Sequence, residues 1–294
     1  MEHGDASSLD LSGHCSTWNT SSGCGHPGRC PRHSGMTPGF DYDPGGTPKT
    51  WRWILKAGKD RLIVALDVRT HAEAERLVET LDNVSFFKIG LRLFLSGDLY
   101  GLVRRIQAQR RGGIFIDLKM AGDISNTITD FVDRAAALGI RFVTLAESRD
   151  DVFTRHSLGA GRKARGSNPF PQFLMVPLLS SLTPANFGRP GLSAEEYIVD
   201  RGREMLAAGC DGLIVSGAAI GACRTAFGPD VPLVSPGIRP ARSAADDHQR
   251  LTTPADAIRL GADYLVVGRP IRNAQNPREA AQRIIDEMDE QLQQ

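Results

Sequence analysis

The chain has 294 residues, 41% of them hydrophobic and 23% charged, with a formal net charge of +1. That composition suits a globular domain of roughly 200–250 residues with additional sequence attached. Near-neutral charge argues against nucleic acid or an anionic membrane surface as a partner, and no apolar run reaches the roughly 18 residues of a transmembrane helix. The amino terminus lacks the basic-then-apolar pattern of a secretory signal. Three of the five cysteines fall at positions 15, 24 and 30, which is not a secreted disulfide framework. A cytoplasmic location is expected.

Residues 1–57 are rich in Gly, Ser, Thr, Pro and His and carry no helical or strand periodicity. Such a segment buries too little apolar surface to offset its ordering entropy, so a disordered extension is expected. It contains His14, Cys15, Cys24, His26, Cys30 and His33, but their spacing matches no paired zinc-ligand pattern. Met36 is an alternative start.

From Arg61 onward, apolar runs of strand length alternate with amphipathic stretches of helix length. The strand candidates are 61–67, 84–90, 113–119, 140–146, 172–179, 211–216, 231–235 and 263–268. The stretch 124–138 has Ile124, Ile128, Phe131, Ala135 and Leu138 on one helical stripe. Gly139, Gly209 and Gly261 stand where helices should end and the next strand begin. Eight β/α units in this length predict a (β/α)8 TIM barrel over 58–294, an α/β fold, rather than an open doubly wound sheet. No glycine-rich dinucleotide fingerprint follows the first strand.

A barrel of this kind carries its chemistry at the carboxyl ends of its strands. Those ends hold Asp67, Lys88, Asp117 with Lys119, Ser180, Arg239, and Gly268 with Arg269. Taken singly, Asp67 reads equally as a helix cap and Lys88 as a side chain snorkelling from the barrel mouth. Together they form a polar set on one face of an apolar scaffold. The run 114–127 is the densest part, an Ile-Phe-Ile strand ending in Asp117, Lys119 and Asp123. Charges there are costly to desolvate unless they face one another or a ligand. Near the carboxyl terminus, 234–240 and 264–271 each place a glycine and an arginine after an apolar strand. Backbone N–H groups near Gly237 and Gly268, with the Arg269 guanidinium, suit a phosphate.

The motifs LIVALD (62–67), FFKIG (86–90), DLKMAGDISNT (117–127), SPGIRP (235–240) and VVGRPI (266–271) together resemble the orotidine 5′-phosphate decarboxylase family over about 58–285. The resemblance implies decarboxylation of orotidylate to uridylate in pyrimidine biosynthesis, with no metal and no cofactor. It implies Lys119 as proton donor to C6 of the pyrimidine. Lys88, Asp117, Lys119 and Asp123 would form an alternating charged array, with Asp123 and Thr127 reaching the neighbouring subunit's site in a homodimer. Asp67 would hold ribose hydroxyls and Ser180 the pyrimidine. Arg239, Gly268 and Arg269 would bind the ligand, the latter two at its phosphate. The chain departs from the family in three places. Met-Ala-Gly separates Lys119 from Asp123, one residue more than the usual Asp-x-Lys-x-x-Asp. Leu-Ala-Glu stands where many relatives carry histidine, and Glu147 is given no role. His248 or Gln249 takes the place of a phosphate-gripping glutamine.

Two rival readings follow. Within the superfamily, a magnesium-dependent hexulose-phosphate synthase or keto-gulonate-phosphate decarboxylase uses a similar strand but has glutamate where this chain has Lys88, and an ammonium there repels a divalent cation. The other rival is a barrel that binds without catalysing, supported by the extra residue before Asp123.

Overall fold

All eight apolar runs form strands, and the strands close on themselves. In the computed structural model, which describes residues 57–109, 113–120, 125–145, 151–240 and 252–294, they are β1 (Leu62–Ala65), β2 (Phe86–Gly90), β3 (Ile114–Met120), β4 (Phe142–Leu145), β5 (Gln172–Met175), β6 (Gly212–Ile214), β7 (Leu233–Ser235) and β8 (Tyr264–Val267). Each pairs in parallel with its neighbours in sequence, and β1 also pairs with β8, so the sheet is a TIM barrel. Among the described residues no helix is long and apolar enough to cross a membrane.

The strand at 172–179 is shorter than its apolar run predicts. It stops at Met175, two residues before Pro177, whose missing N–H cannot extend a ladder. The helix predicted over 124–138 spans Ser125–Ala137 and buries Ile128, Val132 and Ala135. Gly139, Gly209 and Gly261 all have positive φ (64°, 106° and 99°), as the ends of their helices require.

The period of two along a strand sorts the side chains into two cores. Leu62, Val64, Phe87, Ile89, Ile114, Ile116 and Val143 face outward and pack under the helices. The alternate positions Ile63, Ala65, Phe86, Phe115, Phe142, Leu174, Ile214, Val234, Tyr264 and Val266 fill the barrel. Phe142 is the centre of this plug, with ring centroids 5.6 Å from Phe86, 5.9 Å from Phe115 and 5.1 Å from Tyr264. Side chains of this size, fully removed from water, each stabilise the fold by about 1.5–3 kcal/mol.

One further step of two along each strand leaves the plug and reaches the barrel mouth. The inward positions there are Asp67, Lys88, Asp117, Thr144, Val176, Ser216, Pro236 and Gly268. The same alternation that builds the inner core therefore delivers Asp67, Lys88, Asp117, Thr144 and Ser216 to the layer above it.

Candidate active site

A cavity of about 320 Å³ opens at the carboxyl ends of the strands. Its floor is the top of the inner core, Ala65, Phe115, Ile214 and Val266, and its walls carry Asp67, Lys88, Asp117 and Lys119 on one side. Ser180, Gly237, Arg239, Gly268 and Arg269 line the rest. Nine of the twelve predicted site residues thus lie in described segments, and eight of the nine meet at one cavity. The ninth, Thr127, is exposed in the first turn of the helix Ser125–Ala137 and does not line the cavity. Asp123, His248 and Gln249 lie outside the described residues, as do Glu147 and the extension before Ala57.

The charges alternate along the wall. The Lys88 ammonium sits between two carboxylates, 3.2 Å from Asp67 Oδ1 and 3.3 Å from Asp117 Oδ2. Lys119 Nζ donates to Asp117 Oδ1 at 2.8 Å. Among the described residues Asp117 is its one partner. The two lysines differ in access. The Lys88 side chain is 10% exposed and doubly paired, whereas that of Lys119 is 43% exposed toward the cavity. Lys88 is thus held as a fixed charge and Lys119 is free to meet a ligand. Burial disfavours charge on Asp117, but Lys88, Lys119 and the Thr144 hydroxyl outweigh it and hold its carboxyl below the usual carboxylate range. Gly90 makes room for this packing, since a Cβ there would lie 3.0 Å from Asp67 Oδ1.

Lys119 is aimed by an irregularity in the sheet. Phe115 faces Phe142 and Ile116 faces Val143, but the next pair is Met120 with Leu145. Residues 117–119 of β3 therefore stand opposite Thr144 alone. Bulges of this kind re-aim side chains. Lys119 has φ of 49°, the one positive value for a non-glycine among the described residues, a conformation costing about 1–2 kcal/mol.

The turns after β7 and β8 bring glycines and arginines to the same cavity. Gly237 has φ of 76° and turns the chain after β7. Gly268 precedes the single helical turn Arg269–Arg272, both of whose arginines line the cavity. Arg272 also donates to the backbone carbonyl of Asp67, tying the turn after β8 to the exit of β1. Among the described residues no three His, Cys, Asp or Glu side chains gather as metal ligands.

Sequence reading missed Thr144, Ser216 and Arg272. The first two had a signal, each lying two residues beyond a barrel-filling position, Phe142 and Ile214. Arg272 had a weaker one, a turn of helix after Arg269.

With this geometry in view, the likenesses to known proteins converge. The sequence matches the model of the orotidine 5′-phosphate decarboxylase / HUMPS family over residues 60–284. It is 40% identical over 228 residues to an orotidine 5′-phosphate decarboxylase of Methylococcus capsulatus, covering 76% of this chain and 90% of that protein. It is 39% identical over 235 residues to one of Rhodopseudomonas palustris, covering 79% and 96%. Among solved structures, the orotidine 5′-phosphate decarboxylase of Lactobacillus acidophilus superposes with a TM-score of 0.63 at 28% identity, over 78% of this chain and all of that one. A barrel closed by these eight strands, with this charged wall and a matching sequence across its length, belongs to the orotidine 5′-phosphate decarboxylase / HUMPS family.

Proposed function

We propose that this protein decarboxylates orotidine 5′-phosphate to uridine 5′-monophosphate, without metal or cofactor, in pyrimidine biosynthesis. The observation that carries the reading is Lys119, an ammonium 2.8 Å from Asp117 and open to a cavity that Arg269 also lines. In the reaction the bond from C6 to the carboxylate breaks, carbon dioxide leaves, and the electron pair stays on C6. Lys119 stabilises that developing charge and then transfers its proton to C6, regaining one from solvent. Asp117 keeps the amine protonated and oriented. Asp67 serves the ribose hydroxyls and Ser180 the pyrimidine, Arg239 binds the ligand, and Gly268 and Arg269 hold its phosphate, joined by His248 or Gln249. Phosphate binding is remote from C6, so its energy serves to position the base.

Lys88 favours this chemistry over the magnesium-dependent alternative. Its ammonium occupies the space between Asp67 and Asp117 that a divalent cation needs. The test is loss of orotidylate ultraviolet absorbance together with carbon dioxide release in excess EDTA. Full turnover is expected. No turnover overturns the reading, and activity abolished by EDTA and restored by magnesium favours the metal-dependent one.

The enzyme works in the cytoplasm as a homodimer with shared sites. Thr127 is exposed in the first turn of its helix and does not line its own cavity, and Leu91, Leu95 and Val152, in or at the end of the helices that follow β2 and β4, are exposed apolar residues. Mixed dimers of Lys119→Ala and Asp123→Ala chains are expected to regain activity, since one site in each is intact. No recovery in confirmed mixed dimers refutes sharing.

A further inference from the structure

Thr144 touches no ligand-facing surface, yet its hydroxyl joins the two groups on which the site depends. It is 1% exposed and stands alone on β4 opposite residues 117–119 of β3. Its Oγ1 accepts the backbone N–H of Lys119 at 2.8 Å and donates to Asp117 Oδ1 at 3.0 Å. In a regular parallel ladder that N–H would bond a carbonyl of the next strand. Here the bulge carries it away, and the side-chain oxygen takes the carbonyl's place. A hydroxyl is both acceptor and donor, so one group satisfies the strained backbone of Lys119 and orients the carboxylate that holds the Lys119 ammonium.

We propose that Thr144 is a positioning residue for decarboxylation, fixing Lys119 and Asp117 through a single hydroxyl. The inference rests on the reading of Lys119 as proton donor. A valine at this position has nearly the same shape but leaves the Lys119 N–H unpaired in the barrel wall and removes a donor from Asp117. Lys119 then loses its fixed direction, and a misplacement of this order lowers turnover about 100-fold. Binding of the phosphate end at Gly268 and Arg269, which Thr144 does not touch, is expected to be unchanged.

The charged groups facing Asp117 among the described residues are Lys88 from β2 and Lys119 from its own strand, with Asp67 beyond Lys88. β4 contributes only the uncharged Thr144. Loss of its donated bond removes support for the carboxylate form and moves the Asp117 titration upward.

The experiment compares wild type, Thr144→Val and Thr144→Ser. Thr144→Val is expected to lower kcat about 100-fold with KM nearly unchanged and to shift the acid limb of the kcat profile to higher pH. Thr144→Ser keeps the hydroxyl and is expected to restore most of kcat and the original limb. A merely structural role predicts lower stability in the variants, with kcat per folded molecule and the acid limb unchanged. Wild-type kcat in Thr144→Val, or serine no better than valine, overturns the proposal. Should Thr144→Val fail to fold, Thr144→Cys, a weak donor and acceptor of similar size, carries the same expectation. A carbon-13 titration of Asp117, identified by its loss in Asp117→Asn, reads the position of the group without turnover. A wild type inactive on orotidylate therefore sinks the assigned reaction, while an Asp117 titration unmoved in Thr144→Val sinks the role of Thr144.

Discussion

At the amino-terminal ends of the strands Asp211 and Asp263 face arginines, much as Asp117 faces lysines at the carboxyl-terminal ends, but the bonding around them differs. Arg165 holds Asp211 with both terminal nitrogens and also donates to the Pro171 carbonyl, and the Phe173 N–H donates to Asp211 at 2.8 Å. Arg224 holds Asp263 and donates to the carbonyls of Gly228, Val231 and Gly261, while the Leu233 N–H donates to Asp263 at 2.9 Å. These pairs are woven into the backbone of neighbouring strands and do not line the cavity. At the mouth, among the described residues, the ammoniums of Lys88 and Lys119 bond carboxylates alone, beside a cavity. Charges answered by backbone hold the fold. Charges answered by one another and by a single hydroxyl remain available to a substrate.

Substitution at each end should separate the two roles. Lys119→Ala is expected to cut kcat by about 10,000-fold or more, read by orotidylate absorbance, with the unfolding midpoint near wild type and uridylate still bound. Turnover surviving in that variant would break the comparison at the mouth. Asp263 is fully buried, and its change to alanine strands Arg224 and the Leu233 N–H. A loss of about 3–5 kcal/mol in denaturant unfolding is expected, with kcat per folded molecule preserved. A drop in kcat at unchanged stability would mean that the amino-terminal end also serves the reaction.

The pH dependence of stability sharpens the contrast further. Asp117 titrates below the usual carboxylate range when folded, so its pairing stabilises the protein at neutral pH. That contribution is lost as pH falls from the usual carboxylate range through the lowered folded value, about 1.4 kcal/mol for each unit of lowering. Urea midpoints from pH 7 to pH 3 should fall more steeply in wild type than in Asp117→Asn, and parallel curves would contradict the pairing. The smallest effect concerns the thiols. Cys210 and Cys223 are buried beside Asp211 and Arg224, and burial pushes both thiols up, Cys223 to about 12. Native protein treated with iodoacetamide should leave both unmodified by mass spectrometry, and labelling without unfolding would show that the helix layer opens.

Much of the site was legible before the fold. Asp67, Lys88, Asp117 and Lys119 were visible because each ends or interrupts an apolar run, and an unpaired charge does not stay there without a use. Gly268 and Arg269 were visible as a glycine and an arginine after such a run. Thr144 carried only its place two residues after Phe142, since a threonine within a strand is ordinary and its partners lie 25 and 27 residues away in sequence. Arg272 was hidden for the same reason, its carbonyl partner being 205 residues distant.

The linear pattern by itself determined eight strands, their alternation of faces and the rank of residues at their carboxyl ends, because a period of two and an apolar run are local properties. Only closure of the barrel decided which of those residues meet. It set Lys88 between Asp67 and Asp117, brought the turn after β8 to the exit of β1, and opened the bulge that gives Lys119 its direction. Those are matters of register between strands far apart in the chain, where the competition is among long-range pairings that no local pattern encodes.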